Sequence, residues 1–399
     1  MPLDQLSQTT SLFAPLKEQP LDVMLTLLNA LRGDPRDGKI DLGIGVYRND
    51  DNQTPVMRAV KAAETHLVAT QASKDYISPE GDMGYIDRLA PIVFGEAGAR
   101  DDRRLGMQTP GGTAALRLAA ALIARGNPEA RVWISRETWP NHALLMHAAH
   151  LQVIDHPYFD RATQAVQFDV MMSALEAARP GDVWLLQACC HNPTGADLSP
   201  EQWRAVTAFV ARKGLIPLID MAYQGLGYGL DDDAAGMRMV IDAASEAFVA
   251  VSGSKNFGLY RDRVGALWLQ ADNAAVARRA RSNLIVLARS LWSMPPDHGA
   301  AVVRTILGDA ALTTMWRAEL DDMRLRIQTL RRDLAAVLPQ LAPVARQNGM
   351  FSLLPIDRDR VIRLRADHAI YMLESGRINI AGLHSANLPT LCTALRPYL

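Results

Sequence analysis

The chain has 399 residues and a mass of 43.7 kDa, more than one hydrophobic core usually supports, so two domains are expected. Hydrophobic residues make up 49% and charged residues 21%, which excludes a disordered or fibrous chain. The 42 lysines and arginines nearly cancel the 43 aspartates and glutamates, leaving a net charge of −1, so no charge-driven hold on nucleic acid or an anionic membrane is expected.

The opening residues Met1-Pro2-Leu3-Asp4-Gln5 lack a basic stretch followed by an apolar run, so no secretory signal is read there. No segment reaches the roughly 18 uncharged apolar residues that a membrane span needs. Cys189, Cys190 and Cys392 form no C-x-x-C pair, which excludes a zinc ribbon or a disulfide framework and fits a reducing compartment. A soluble cytoplasmic protein is the expectation.

Along the chain, short apolar strands alternate with amphipathic helices. Strands are predicted at Arg131–Ile134, Asp182–Ala188, Leu215–Ile219, Ala247–Val251 and Val264–Leu269. They are near-continuous apolar runs, as expected where both faces of a sheet are covered. One intervening helix carries its own punctuation: Ser199 as N-cap, Pro200 in the first turn, Gln202 closing a capping box and Gly214 as terminator. The prediction is an α/β fold with a mostly parallel sheet, crossover helices, and ligands beyond the carboxyl ends of its strands. Beyond about Pro295 the pattern changes. Trp316, Leu320, Met323, Ile327, Leu330, Leu334 and Val337 recur at helical spacing. Gly349–Leu354 and Arg377–Ala381 read as strands around a short helix near Arg360–Arg365. Residues 49–300 are therefore read as a large domain and 301–399 as a smaller α+β domain, with 1–48 as an N-terminal arm that joins the smaller domain in part.

Three strand ends and one glycine turn could carry chemistry. Val251-Ser252-Gly253-Ser254-Lys255 ends an apolar strand with hydroxyls and then a lysine. Desolvation or a neighbouring cation there would lower the amine's pKa and let it form a Schiff base with a carbonyl. A solvated surface position is nevertheless the default for an isolated lysine. Gln108-Thr109-Pro110-Gly111-Gly112-Thr113 runs straight into a helix. Glycines at a helix N-terminus let backbone N–H groups approach an anion, although a plain turn reads the same way. In Cys189-Cys190-His191-Asn192-Pro193-Thr194-Gly195, Asn192 is held extended before proline, so that its amide can point into the crevice. Asp220, at another strand end, is a carboxylate that is costly to bury without a cationic partner.

Together these runs resemble the class I, fold type I, pyridoxal-phosphate aminotransferases, in the aspartate/aromatic branch. The resemblance rests on Asp41-Leu42-Gly43-Ile44-Gly45-Val46-Tyr47, Thr109–Thr113, Trp139-Pro140-Asn141-His142, His191–Gly195 and Asp220-Met221-Ala222-Tyr223-Gln224-Gly225. It continues through Ser252–Lys255 to Arg263, then Pro295-Pro296-Asp297-His298-Gly299 and Ser375-Gly376-Arg377-Ile378-Asn379-Ile380-Ala381-Gly382. These follow the family's order over nearly the whole chain.

The resemblance implies a role for each residue. Lys255 would be the Schiff-base lysine and proton carrier, and Asp220 the partner of the cofactor's ring nitrogen, supported by His142. Tyr223 and Asn192 would bond the ring's phenolic oxygen, and Trp139 would stack on the ring. Gly112, Thr113, Ser252, Ser254 and Arg263 would bind the phosphate, with Tyr76 donated by the other subunit of a homodimer. Arg377, helped by Gly45 and Asn192, would take the substrate's α-carboxylate. Arg289, also reaching across the dimer, would take the distal carboxylate of aspartate, glutamate or 2-oxoglutarate. Trp292, Met294 and Asp75 stand where aspartate-specialised relatives usually carry tyrosine, asparagine and asparagine. Trp292 and Met294 offer polarisable surface to an aromatic side chain, so broad aromatic and dicarboxylate specificity is expected, with an aspartate-specialised enzyme as the alternative.

Other classes fit less well. Ser252-x-x-Lys255 matches the nucleophile motif of serine acyl-transfer enzymes, but neither S-D-N nor K-T-G is present. His142, His147 and His150 lack a completing carboxylate for a metal site. Gly225-x-Gly227-x-Gly229 is too short for a dinucleotide loop and reads as a bend. A binding protein that kept the fold without catalysis would not be expected to retain Lys255, Asp220 and Arg377.

Overall fold

A computed structural model describes residues 11–19 and 21–399. Its centre is a seven-stranded sheet: β1 (Arg104–Pro110), β2 (Arg131–Ser135), β3 (Gln152–His156), β4 (Val183–Gln187), β5 (Ile216–Met221), β6 (Ala247–Ser252) and β7 (Val264–Gln270). Their spatial order is β1-β7-β6-β5-β4-β2-β3. The run from β6 through β5, β4 and β2 to β3 is parallel. Only β7 runs the other way, antiparallel to β6 and to β1. The carboxyl ends of six strands and the amino end of β7 therefore share one edge. Every residue of β7 is buried, as a strand covered on both faces requires.

All five predicted strands are present, with bounds shifted by a residue or two at most. Asp182 and Ala188 fall outside β4: the Asp182 carboxylate pairs with Arg131 and accepts from Trp133 Nε1 just before the strand starts. β1 and β3 were not predicted. In β1, Arg104, Gly106 and Gln108 interrupt the apolar run for packing reasons. A Cβ at Gly106 would lie 2.4 Å from the Trp268 indole, and Gln108 is buried while bonding Asp82 N and Pro296 O. β3 is an edge strand whose exposed Gln152 and Asp155 dilute its apolar pattern.

The helix Pro200–Lys213 has the predicted reciprocal capping box between Ser199 and Gln202, and Gly214 closes it in the left-handed conformation. The helix Ala310–Val337 buries Trp316, Leu320, Met323, Ile327, Leu330 and Leu334. Val337 does not belong to that buried stripe, because the helix ends there and leaves it 43% exposed. Trp316 ties this helix to the sheet edge: its ring stacks on Phe257 at 4.5 Å, and its Nε1 donates to Asn256 O at 2.7 Å. The predicted strands near the C-terminus are shorter, Phe351–Leu353 and Arg377–Asn379. Asn379 stops the second by accepting from Ala381 N and capping a 3-10 turn at Ile380–Gly382. Ile40–Asp41 pairs in parallel with Ile370–Tyr371, so the N-terminal segment does join the C-terminal one. Among the described residues, no helix is long and apolar enough to cross a membrane.

Candidate active site

The shared sheet edge opens onto a cavity of about 240 Å³. Gly45, Gly112, Thr113, Trp139, Asn192, Asp220, Tyr223, Ser252, Ser254, Lys255 and Arg263 line it, so most of the residues singled out from the sequence meet here. His142 stands behind Asp220, and Arg377 stands beside Asn192. Tyr76, 93% exposed, and Arg289, also exposed, do not line this cavity.

Lys255 follows β6. Its Nζ lies 4.8 Å from the centre of the Tyr223 ring. Burial pulls the amine down to about 8, against the opposing pull of Asp220, while Arg263 and Arg377 lower it further. A folded value below the unfolded 10.5 means that the folded chain releases this proton first. The burial penalty is therefore complete below pH 8 and lifts between pH 8 and 10.5. Stability of the cofactor-free protein should rise across that window by roughly 2–3 kcal/mol more than that of Lys255→Met. Denaturant unfolding at a series of pH values measures it, and parallel curves for the two proteins would refute it.

Asp220, the penultimate residue of β5, is buried. Its Oδ2 lies 3.0 Å from Nε2 of the fully buried His142, whose Nδ1 lies 2.7 Å from Thr138 Oγ1. The carboxylate is thus held in one orientation with a free edge toward the cavity. Trp139 meets His142 edge to face at 5.4 Å. Tyr223 is buried, and burial raises its phenol well above the ordinary value. Asn192 Nδ2 donates to Tyr223 Oη at 3.3 Å, while Asn192 Oδ1 accepts from Arg377 Nη1 at 3.4 Å. Arg377 also donates from Nη2 to Gly43 O at 2.8 Å, and its buried Nε has no partner. A buried guanidinium with a spare donor and a pKa lowered by desolvation is suited to receiving a carboxylate.

At the other end of the cavity, Arg263 Nη1 donates to Ser254 Oγ at 3.3 Å and to Tyr260 O at 3.2 Å. The helix Gly111–Gly126 begins against it. Gly111 has φ +80°, and a Cβ there would lie 2.4 Å from Arg263 Nη2. Only glycine lets the helix N-terminus approach the guanidinium this closely. Backbone N–H groups, two serine hydroxyls and an arginine make a cradle for a dianionic phosphate.

Several lining residues were not anticipated. Gln187 brackets the backbone of Asn192, accepting from its N–H and donating to its carbonyl. A glutamine closing an otherwise apolar strand was the available signal. Tyr260, with its phenol raised to about 12 by burial, accepts from Tyr47 N–H. Phe351 lies under the Arg377 guanidinium at 4.4 Å, and nothing in its local sequence marks it. Gly225–Gly229 is indeed a bend, stapled by the Asp233 carboxylate, which accepts from Gly225, Gly227 and Tyr228 N–H. Cys189, Cys190 and Asp233 come within 4.8 Å of one another, but that staple already engages the carboxylate. His147 and His150 are exposed.

The sequence profile of the family described as "Aminotransferase class I and II" matches residues 37–395. The chain belongs to that family. It is 52% identical to a tyrosine aminotransferase of Rhizobium meliloti, over 94% of this chain and 97% of that protein. It is 40% identical to an aspartate aminotransferase of Escherichia coli, over 96% and 99%. A solved aromatic-amino-acid aminotransferase from Burkholderia pseudomallei, covalently bound to pyridoxal phosphate, superposes with a TM-score of 0.94 at 37% identity, over 97% and 99%. The aminotransferase cofactor is pyridoxal 5'-phosphate, and the lining residues fit it: Arg263 with two serine hydroxyls and a helix N-terminus could hold the phosphate, Asp220 could face the ring nitrogen, and Lys255 offers a buried amine with a depressed pKa. The expected fold, family and cofactor thus hold, and membership of this family displaces the serine acyl-transfer reading.

Proposed function

We propose that this aminotransferase moves the amino group of aromatic amino acids and of aspartate to 2-oxoglutarate, with the residues of the cavity acting as follows. One observation carries the reading: the Lys255 amine is buried in the same cavity as Asp220 and the Arg263 cradle. Bound there, pyridoxal phosphate supplies an electron sink for the carbanion formed when the substrate loses its Cα proton. Lys255 would hold the cofactor covalently and, once displaced, is the amine placed to take the proton from the substrate's Cα and to give it back. Asp220, oriented by His142, would keep the ring nitrogen protonated. Tyr223 and Asn192 would donate to the ring's phenolic oxygen, and Trp139 would cover the ring. Gly112, Thr113, Ser252, Ser254 and Arg263 grip the phosphate, and Arg377 with Gly45 and Asn192 orients the α-carboxylate.

Two residues complete the site only in a homodimer. Tyr76 and Arg289 are exposed in a single copy, as are Leu12, Phe13 and Leu16 of the N-terminal segment. We assign Tyr76 to the phosphate, and Arg289 to the distal carboxylate, of the partner's site. Light scattering should give about twice 43.7 kDa. We read residues 49–300 as the large domain and 301–399 as the small one, joined by part of the N-terminal arm, since Ile40–Asp41 is paired with Ile370–Tyr371. Three free, buried cysteines support a cytoplasmic setting.

The dual specificity is tested at Arg289. Arg289→Leu removes a charge-assisted bond to the distal carboxylate, typically worth ~1.5–3 kcal/mol. Half-reactions of aspartate, glutamate and 2-oxoglutarate should slow by roughly 10- to 100-fold in kcat/KM. Those of tyrosine and phenylalanine should change little or improve. Trp292, whose Nε1 is buried without a partner, and Met294 are the surface on which we place the aromatic ring. A panel of amino donors against 2-oxoglutarate ranks the substrates. Equal losses for phenylalanine and aspartate in Arg289→Leu would make that arginine structural.

A further inference from the structure

Arg331 is a charged side chain that the reaction itself leaves unexplained. It lies on the helix Ala310–Val337 and is fully buried. Among the described residues, no carboxylate forms an ion pair with it. Its hydrogen bonds all go to neutral acceptors of the segment 344–352. Nη2 donates to the carbonyls of Asn348, Gly349 and Phe351 at 2.9, 2.7 and 2.6 Å. Nη1 donates to Ser352 Oγ at 2.8 Å and Val344 O at 3.3 Å, and Nε to Gly349 O at 3.2 Å. Burial pulls its pKa down to about 10, against the opposing pull of Cys190 and the Asp197 carboxylate, neither of which it hydrogen-bonds. Desolvating a guanidinium for uncharged partners is costly, and an apolar side chain of similar volume would fill the space without that cost.

The loop it holds carries Phe351. That ring lies 4.4 Å under the Arg377 guanidinium and meets Tyr223 edge on at 6.0 Å. It also abuts Gly45, where a Cβ would come within 3.0 Å of Phe351 Cζ. One ring therefore touches three of the residues assigned to substrate and cofactor. The same loop is fastened to the segment bearing Asn192: Asn348 N donates to Gly195 O, and Asn348 Nδ2 to Asp197, which in turn accepts from Cys190 and His191 N–H.

We propose that Arg331 is a positioning residue for the carboxylate grip: by fixing the carbonyls of residues 348–351 it sets Phe351 as a platform beneath Arg377 and so fixes the fork that receives the substrate's α-carboxylate. The proposal rests on Arg377 as the α-carboxylate residue. A cation over an aromatic face is held in direction as well as place, and misplacement of a binding group by about 1 Å suffices for a large loss.

The test uses the holoenzyme and 3-phenylpropionate, a monocarboxylate that cannot react, with binding followed through the cofactor absorbance. Arg331→Lys keeps the charge but cannot reach so many acceptors in fixed directions. It should retain cofactor and fold, weaken 3-phenylpropionate by about 5- to 20-fold, and raise KM for phenylalanine and aspartate by the same factor with kcat little changed. Phe351→Leu removes the platform without touching Arg331 and should reproduce the shift. The double variant should add nothing further. Wild-type affinity in Arg331→Lys, or additive losses in the double variant, would overturn the proposal. Arg377→Leu is run alongside. If it leaves 3-phenylpropionate binding intact, the α-carboxylate reading fails and this proposal with it; if it abolishes binding while Arg331→Lys does not weaken it, only the positioning role fails.

Discussion

Lys255→Ala should fold, bind pyridoxal phosphate only non-covalently, and lose transamination by at least roughly 10⁴-fold. That figure combines the loss of a positioned acid/base with the loss of the covalent anchor. The cavity gives the reason no other group substitutes. The remaining side chains that could accept a proton there are Asp220, committed to His142, and Tyr223 and Tyr260, whose phenols burial holds above their ordinary range. In the parent protein, borohydride should fix the cofactor on the peptide containing Lys255, and mass spectrometry locates it. A label on another peptide, or parent-level turnover in Lys255→Ala, would sink the assignment. The phosphate cradle is untouched by this change, so cofactor affinity should fall much less than rate.

Asp220→Ala should lower the rate of Cα–H cleavage by at least ~10²-fold, the scale expected when a preorganised charge facing a developing carbanion is removed. The loss has two parts. The ring nitrogen no longer has an anion to keep its proton, and the buried His142 loses the acceptor at 3.0 Å that fixes its ring. Retention of cofactor should suffer less, because Arg263, Ser254 and the helix N-terminus are untouched by the change. Stopped-flow measurement of one half-reaction at saturating substrate separates rate from binding. A near-normal rate there would remove Asp220 from the electron-sink role. Asp220→Glu should be intermediate, since it keeps the charge and displaces it.

How far these residues could be read from the chain depended on the distance over which each acts. The helix Pro200–Lys213 was legible to the residue, because its caps are local hydrogen bonds written within three positions of the backbone they satisfy. β1 was not, because Gly106 and Gln108 answer to Trp268 and Pro296, partners far away in sequence. Lys255 alone looks like any surface lysine. It became readable only with Asp220, the Gly111–Gly112 turn and Arg377, that is, as an ordered set resembling a known family. Phe351 was placed in a predicted strand, yet its contact with Arg377 is made by tertiary packing that no spacing encodes. Tyr76 and Arg289 are the opposite case: the resemblance places them in a site, while a single copy leaves them exposed.

The reversal of β7 also bears on how the cavity assembles. Because β7 turns back beside β6, Lys255 and Arg263 meet across a separation of only eight residues (263 − 255 = 8). Closing so short a loop costs little chain entropy, and contacts of small sequence separation form early. Asp220, Asn192 and Arg377 arrive through pairings that span far more chain. The amine and Arg263 thus belong to one short stretch of chain, whereas the helix N-terminus at Gly111 that completes the anion grip comes from far along the sequence.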